Sequence, residues 1–350
     1  MYESFYGLTG KPFQLNPDPA FFFGSRGHKR AYAYLQYGLY QSEGFIVITG
    51  EIGAGKTTIV RNLLDHLDSE KVVAAQIVST QLDADDMLRA VGLAYGLPVR
   101  TVGKAILLGS LEAFLCKLAM ENKRALLIVD EAQNLTPKAI EELRMLSNFQ
   151  LGDKALLQSF LIGQPELRNM MQSPKMQQLR QRIIASYHLG PLDKEETRAY
   201  MEHRLKHVGW STDPEFDPVC FERIHALTGG IPRRINTLCN RLMLAGFLAE
   251  KHKLDVADVE AIEREIEDEL GPEGRSVQST ESEGAESTDE ATDAQTPQTV
   301  PTNGVDIEAH FRDIADRIDR LDKTLGAAVD LLRGMLHPEK VDKPSKTVGR

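Results

Sequence analysis

Phe45-Ile46-Val47-Ile48-Thr49-Gly50-Glu51-Ile52-Gly53-Ala54-Gly55-Lys56-Thr57-Thr58 is the stretch whose reading decides the fold. Phe45 to Thr49 is a short apolar run closed by Gly50, the pattern of a buried parallel strand, and Lys56 to Leu67 carries its apolar residues at helical spacing. Between them, Gly50 to Thr57 fits GxxxxGK[ST], in which glycines let successive backbone N–H groups turn inward around phosphate oxygens. Gly50, Glu51, Ile52, Gly53, Ala54, Gly55, Lys56, Thr57 and Thr58 are therefore the candidate nucleotide-binding residues. Lys56 is expected to reach the β and γ phosphates, and the Thr57 hydroxyl to ligate Mg²⁺. A glycine-rich turn can match the pattern by chance, but the preceding strand and following helix are the context it requires.

Leu126-Leu127-Ile128-Val129-Asp130-Glu131 supplies the second half, because an apolar strand ending in two acids sets a carboxylate beside such a loop. Asp130 is expected to hold Mg²⁺, making Thr57 and Asp130 the candidate metal ligands, and Glu131 to polarise an attacking water. Without the upstream loop the pair would read only as an acidic cap for the next helix. No Asn-Lys-x-Asp guanine-reading motif is present, so ATP is favoured over GTP.

Three further groups join the candidate catalytic set. Gln164 follows the strand expected over 156–162; if that strand neighbours the one ending at Asp130, its amide touches the γ-phosphate or the water, and otherwise it is a polar turn residue before Pro165. Arg180 and Arg182 lie before the last strand, where an arginine either completes a neighbouring subunit's site or serves as a helix C-terminal cation. Gly229-Gly230-Ile231-Pro232-Arg233-Arg234 opens a later helix, from which Arg233 or Arg234 either bends over the phosphates or stays a solvated pair.

Outward from this centre, strands are expected over 72–78, 125–129, 156–162 and 185–189, alternating with helices such as 104–121 and 137–149. That alternation predicts an α/β fold: a parallel sheet with helices on both faces, spanning 28–190. After Pro191 the strand pattern stops, and helices over 194–207, 218–227, 232–250 and 256–268 predict a small all-helical lid domain, 191–270. Residues 1–27 form an aromatic, Pro-rich lead-in expected to be pinned by its rings to a domain surface. Residues 271–305 are Ser, Thr, Glu, Asp, Pro and Gly without an aromatic, the composition of a disordered acidic linker. Over 306–337, Ile307, Phe311, Ile314, Ile318, Leu321, Leu325, Ala328, Leu332 and Met335 alternate spacings of four and three, a heptad seam expected to form a coiled-coil helix, before a flexible tail, 338–350.

A net charge of −10 argues against broad attraction to nucleic acid or anionic membrane. Cys116, Cys220 and Cys239 form no CxxC or Cys/His cluster, so neither a disulfide nor a structural metal is indicated. No apolar run approaches the roughly 20 residues needed to cross a bilayer, and the start lacks a secretory signal. The expected setting is cytoplasmic, with peripheral contact to an inner-membrane complex left open.

With these residues assembled, positions 1 to 268 resemble the AAA+ P-loop ATPases of the general secretion pathway protein A type and the similar ATPase of exosortase (PEP-CTERM) loci. The resemblance rests on Phe5-Tyr6-Gly7-Leu8 with Pro12-Phe13, Asn16-Pro17-Asp18-Pro19, Gly163-Gln164-Pro165-Glu166-Leu167, Leu179-Arg180-Gln181-Arg182-Ile183 and Gly230-Ile231-Pro232-Arg233. It implies a sensor 1 role for Gln164, an arginine finger at Arg182 in preference to Arg180, and a sensor 2 role for Arg233. Secretion proteins of this type usually continue into a membrane helix and a cell-wall-binding region, in whose place the acidic linker and heptad segment stand; the exosortase-associated type fits better. The resemblance implies an oligomer assembled through AAA+ interfaces; the heptad seam itself lets residues 307–335 pair with another copy or a partner's helix, or fold back as an amphipathic helix onto the chain's own domain. Two other readings stay open: a DNA-dependent regulator of the transposition type, and a scaffold switched by nucleotide.

Overall fold

Five parallel strands in the order β2-β3-β6-β1-β7 make the central sheet of the computed structural model, which describes residues 1–270 apart from 17, 79–80 and 100–102. They are β1 (Phe45–Gly50), β2 (Val72–Val78), β3 (Arg124–Asp130), β6 (Leu157–Gly163) and β7 (Ile183–Leu189), with a short hairpin of β4 (Gln150–Leu151) and β5 (Lys154–Ala155) before β6. The expected linker, heptad helix and tail over 271–350 lie outside the described residues.

Helices cover both faces because the inner strands are apolar on both. Phe45 and Val47 of β1, with Leu127 and Val129 of β3, point into one core; Ile46 and Ile48, with Leu126 and Ile128, point into the other. This is the period-2 alternation of a strand, here apolar in both phases. The first core is closed by α4 (Ala84–Ala94), α5 (Lys104–Met120) and α6 (Pro137–Leu146), the second by α2 (Arg26–Gln41) and α3 (Lys56–Asp65), while α1 (Tyr2–Phe5) precedes them all. Two short helices, α7 (Pro165–Gln172) and α8 (Gln177–Arg180), link β6 to β7.

A third core belongs to α9 (Lys194–His207), α10 (Pro218–Thr228), α11 (Pro232–Leu248) and α12 (Val256–Leu270). The helix starts are written in the sequence. Asp193 and Glu196 form a reciprocal capping box at α9, and Pro232 occupies the first turn of α11, where a missing N–H costs nothing.

One expectation needs correction. The region after Pro191 is not wholly helical: β8 (Glu215–Phe216) and β9 (Lys253–Leu254) pair in parallel, each too short for an alternating pattern to register. The aromatic lead-in packs its rings into the helical region. Tyr2, Tyr6, Leu8 and Phe13 are buried in the third core, with the Tyr2 hydroxyl donating to Asn240 Oδ1 at 2.8 Å and the Tyr6 hydroxyl to the Lys251 carbonyl at 3.1 Å.

Candidate functional site

The end of β1 delivers the chain into the glycine loop, and the loop delivers it into α3 at Lys56. Gly53 (φ +83°) and Gly55 (φ +97°) take the left-handed backbone that favours glycine. Neither has room for a side chain: a Cβ at Gly53 would stand 2.4 Å from Arg233 Cβ, and one at Gly55 would stand 2.6 Å from His28 Nε2. The Lys56 ammonium donates to the carbonyls of Gly50 (2.7 Å) and Glu51 (2.9 Å), folded back along its own loop. Burial draws the Lys56 pKa down, against the pull of Glu131, Asp130, Glu51 and Glu166.

Parallel register places the acids beside this loop. The Thr57 hydroxyl donates to Asp130 Oδ2 at 3.1 Å, and the Glu131 N–H donates to Asp130 Oδ1 at 3.0 Å. Asp130 is only 4% exposed, and burial raises its pKa despite those two donors. Glu131 has φ +54°, an uncommon backbone for a residue with a side chain, and turns its carboxylate onto two amides. Gln133 Nε2 donates to Glu131 Oε2 at 2.6 Å, Gln164 Nε2 to the same oxygen at 3.0 Å, and the Gln164 N–H to Gln133 Oε1 at 3.0 Å. Burial pushes the Glu131 pKa up, but the two amide donors and the Lys56 charge outweigh it and leave the carboxyl below its usual range. The condition set for Gln164 is met, because β3 and β6 are neighbours. Gln133 was missed, though it stands two residues beyond the acid pair.

Four arginines were candidates, and the structure separates them. Arg233 lines the cleft beside the loop, and its backbone N–H donates to the Gly53 carbonyl at 3.2 Å; Arg234 is exposed and outside the cleft. Arg180 donates to the carbonyls of Met171 (3.2 Å) and Gln172 (2.7 Å) at the end of α7, and Arg182 to the Ser147 carbonyl at the end of α6 (3.1 Å). Both therefore neutralise the C-terminal ends of helices other than their own. Arg182 precedes Ile183, which pairs with Phe45 at the start of β1, whereas the glycine loop follows Gly50 at the strand's far end, about 17 Å away at 3.3 Å per residue. Neither arginine reaches the cleft of its own chain.

The cleft itself has a volume of about 360 Å³, at the lower end of small-ligand pockets. One wall is Ile52, Gly53, Gly55, Lys56, Thr57, Thr58 and Glu131; the other is unexpected. It consists of Gln14, Leu15, Asn16, Asp18 and Phe21 to Phe23 from the lead-in, with Tyr200, Arg204 and Asn236 from α9 and α11. A buried network fixes that wall. Arg204 donates to the carbonyls of Pro12 (2.5 Å) and Gln14 (3.2 Å) and to the Tyr200 hydroxyl (3.0 Å), while Tyr200 donates to Asn236 Oδ1 at 2.9 Å. The only sequence signal was Asn16-Pro17-Asp18-Pro19, which carried resemblance but no stated role.

The residues present fit a magnesium nucleotide. Loop glycines whose Cβ positions are already filled leave backbone N–H groups as the available phosphate donors, and Lys56 supplies a cation among them. Among the described residues no three His, Cys, Asp or Glu side chains converge on a metal position. Thr57 and Asp130 offer two hard oxygens, the sparse protein set that Mg²⁺ takes when phosphates and water complete its shell.

A strand–glycine loop–helix, a strand ending in Asp130-Glu131 and a helical region closing over them define an AAA+ P-loop NTPase fold, and the chain is similar to the AAA+ proteins of the general secretion pathway protein A type. The AAA domain family matches residues 39–171. General secretion pathway protein A of Aeromonas hydrophila is 40% identical over 267 residues, 76% of this chain and 48% of that protein. The chain thus spans about half the length of this curated relative. Among solved structures, the ADP form of the Aeropyrum pernix ORC2 protein is similar with a TM-score of 0.51 at 20% identity, covering 67% of this chain and 66% of that one. The Aeropyrum pernix ORC1 protein in complex with DNA gives a TM-score of 0.54 at 18% identity, covering 73% and 69%. Identities this low carry the fold alone. They lend no support to the expectation that nucleic acid is not a partner. Among the described residues no helix is long and apolar enough to cross a membrane.

Proposed function

We propose that this protein binds ATP with Mg²⁺ and hydrolyses it as an oligomer, powering an envelope-associated secretion, exosortase or exopolysaccharide assembly system from the cytoplasmic side of the inner membrane. The observation that carries the reading is the Glu131 carboxylate, held by Gln133 and Gln164 on the same side of the sheet as Lys56, Thr57 and Asp130.

In this reading the inward N–H groups of the loop and the Lys56 ammonium bind the phosphates, which draw Lys56 away from the Gly50 and Glu51 carbonyls. Thr57 and Asp130 hold Mg²⁺, which neutralises phosphate charge when bound. Glu131 is ionised at neutral pH and accepts hydrogen bonds, the state needed to orient a water and take its proton. Gln164, bonded to the Glu131 carboxylate, senses through that contact whether the γ-phosphate is present. Arg233 reaches the phosphates from the helical region and ties its position to nucleotide state. Arg182, too far from its own cleft, completes that of a neighbouring copy.

The test is complementation between two inactive forms. Glu131→Gln and Arg182→Ala proteins are each expected to lack turnover, and mixing them should restore part of it, since mixed oligomers contain sites with both groups intact. An active Arg182→Ala protein, or a mixture that stays silent, contradicts the shared site. Turnover measured with and without duplex DNA at low salt separates the assembly role from a DNA-dependent one.

A further inference from the structure

The lead-in and the helical region share one core, and among the described residues the chain passes between that core and the sheet twice. Tyr2, Tyr6, Leu8 and Phe13 are buried with α9 to α12, and the Thr9 N–H donates to the Val208 carbonyl at 2.9 Å. Arg204 and Asn236 hold the Pro12 and Gln14 carbonyls, Phe21 rests on His207 with ring centroids 4.2 Å apart, and Phe23 rests on Tyr200 at 5.7 Å. The short turn over Pro19–Phe21 touches both α3 and α9, and Phe22 turns to the second core. Four buried side chains outweigh one partly buried ring, so the lead-in belongs to the helices. Ser25 is already the N-cap of α2, which leaves Gly24 as the first crossing. The second is Gly190 with Pro191, because Leu189 is buried in the second core and Leu192 in the third.

Both crossings carry a glycine with little packed around it. A Cβ at Gly190 would meet nothing within 4 Å, and one at Gly24 would meet the flexible Lys29 side chain and the edge of Phe22, so packing opposes little backbone rotation at either. They are tied at the same end of the sheet: the Arg26 N–H donates to Glu196 Oε1 at 2.8 Å and its guanidinium bonds Asp193, joining the start of α2 to the start of α9. The cleft spans this joint. The glycine loop and Glu131 belong to the sheet, whereas the lead-in, Tyr200, Arg204 and Asn236 belong to the helices, and the Arg233 N–H reaches the Gly53 carbonyl from one to the other at 3.2 Å. A nucleotide held by the loop therefore faces the second body, and its contacts there favour the closed arrangement.

We propose that the lead-in and the four helices move as one body about a hinge at Gly24 and Gly190, latched by Arg26, and that nucleotide closes this body onto the glycine loop. This rests on the nucleotide-binding reading above. The lead-in is then a strap fixed to the lid, so a change of nucleotide state reaches the first residues of the chain as well as α12.

Spin-label distances on the full chain test it. Lys11→Cys reports the lead-in, Glu260→Cys reports α12 and Glu112→Cys, on α5, reports the sheet; all three positions are exposed. The substitutions are combined in pairs in a Cys116→Ser background, with Cys220 and Cys239 left in place because they are buried. Distances are measured by double electron–electron resonance before and after Mg²⁺-ATPγS, and calorimetry of the same proteins reads binding. We expect the distance between positions 11 and 260 to hold within about 1 Å, while both distances to position 112 shift by about 2 Å or more. A fixed 11–112 distance beside a shifted 260–112 distance puts the lead-in on the sheet and overturns the proposal. A changed 11–260 distance overturns it too, as does a chain that binds nucleotide with no shift at all. A chain that binds no nucleotide overturns the underlying reading instead.

Discussion

Arg204→Ala is the perturbation that most directly probes how the second wall of the cleft is held. Arg204 is 6% exposed and donates to Pro12, Gln14 and Tyr200, with its guanidinium 4.7 Å from the Phe21 ring centroid. Hydrogen bonds from a charged donor each contribute about 1.5 to 3 kcal/mol, and the contact with Phe21 about 1 more. Against this, the substitution also removes a buried charge whose desolvation was unfavourable. Asn236 stays within 3.4 Å of the Gln14 carbonyl, so the Pro12 carbonyl is the acceptor left without Arg204. The balance is a loss of about 3 kcal/mol, equivalent to roughly 6 to 12 °C in melting temperature for a folded unit of this size. Calorimetry of the full chain reads it, and limited proteolysis should cut within residues 1–23 faster than in wild type. A change below about 1 kcal/mol with unaltered cleavage would refute the claim that this network anchors the lead-in.

Other outcomes follow from single positions. Gly230 has φ +69°, and a Cβ there would lie 2.0 Å from the Leu192 carbonyl oxygen, so Gly230→Ala should destabilise by more than about 2 kcal/mol in denaturant unfolding; a near-neutral result would mean that the turn can open. Burial holds His28 below the ordinary imidazole range. Its depressed pKa means the unfolded chain binds the extra proton, so its stabilising contribution is complete above about pH 6.5 and is lost as pH falls through the lowered value. Wild-type protein should lose more stability than His28→Gln on acidification below pH 6.5, and parallel curves would refute the burial of a neutral ring at this position. Burial raises both Cys239 and Cys220, the latter to about 11, so neither should react with a thiol reagent at neutral pH until the protein unfolds.

What was legible in the sequence was whatever repeats locally. The five sheet strands and the helices at 104–120, 194–207 and 232–248 were readable because burial imposes period 2 or 3.6 on neighbouring residues. The glycine loop was readable because phosphate binding demands glycine at fixed intervals, and Asp130-Glu131 because an acid pair closes an apolar strand. Tyr200, Arg204 and Asn236 were not, because each acts across the fold on a backbone carbonyl or a side chain from another element. Arg204 meets Pro12 across 192 positions, and no local pattern encodes such a contact. The two-residue strands β8 and β9 were lost for the opposite reason, since they are too brief to show any period.

The central claim is that Glu131 activates water for attack on a nucleotide held by Lys56 and the loop. Phosphate release from Mg²⁺-ATP by the Glu131→Gln protein, beside a titration of its ATP affinity, tests it most directly. The account predicts binding at least as tight as wild type with turnover lowered by two or more orders of magnitude, the scale of a lost general base. Turnover at the wild-type rate in a folded Glu131→Gln protein would contradict it.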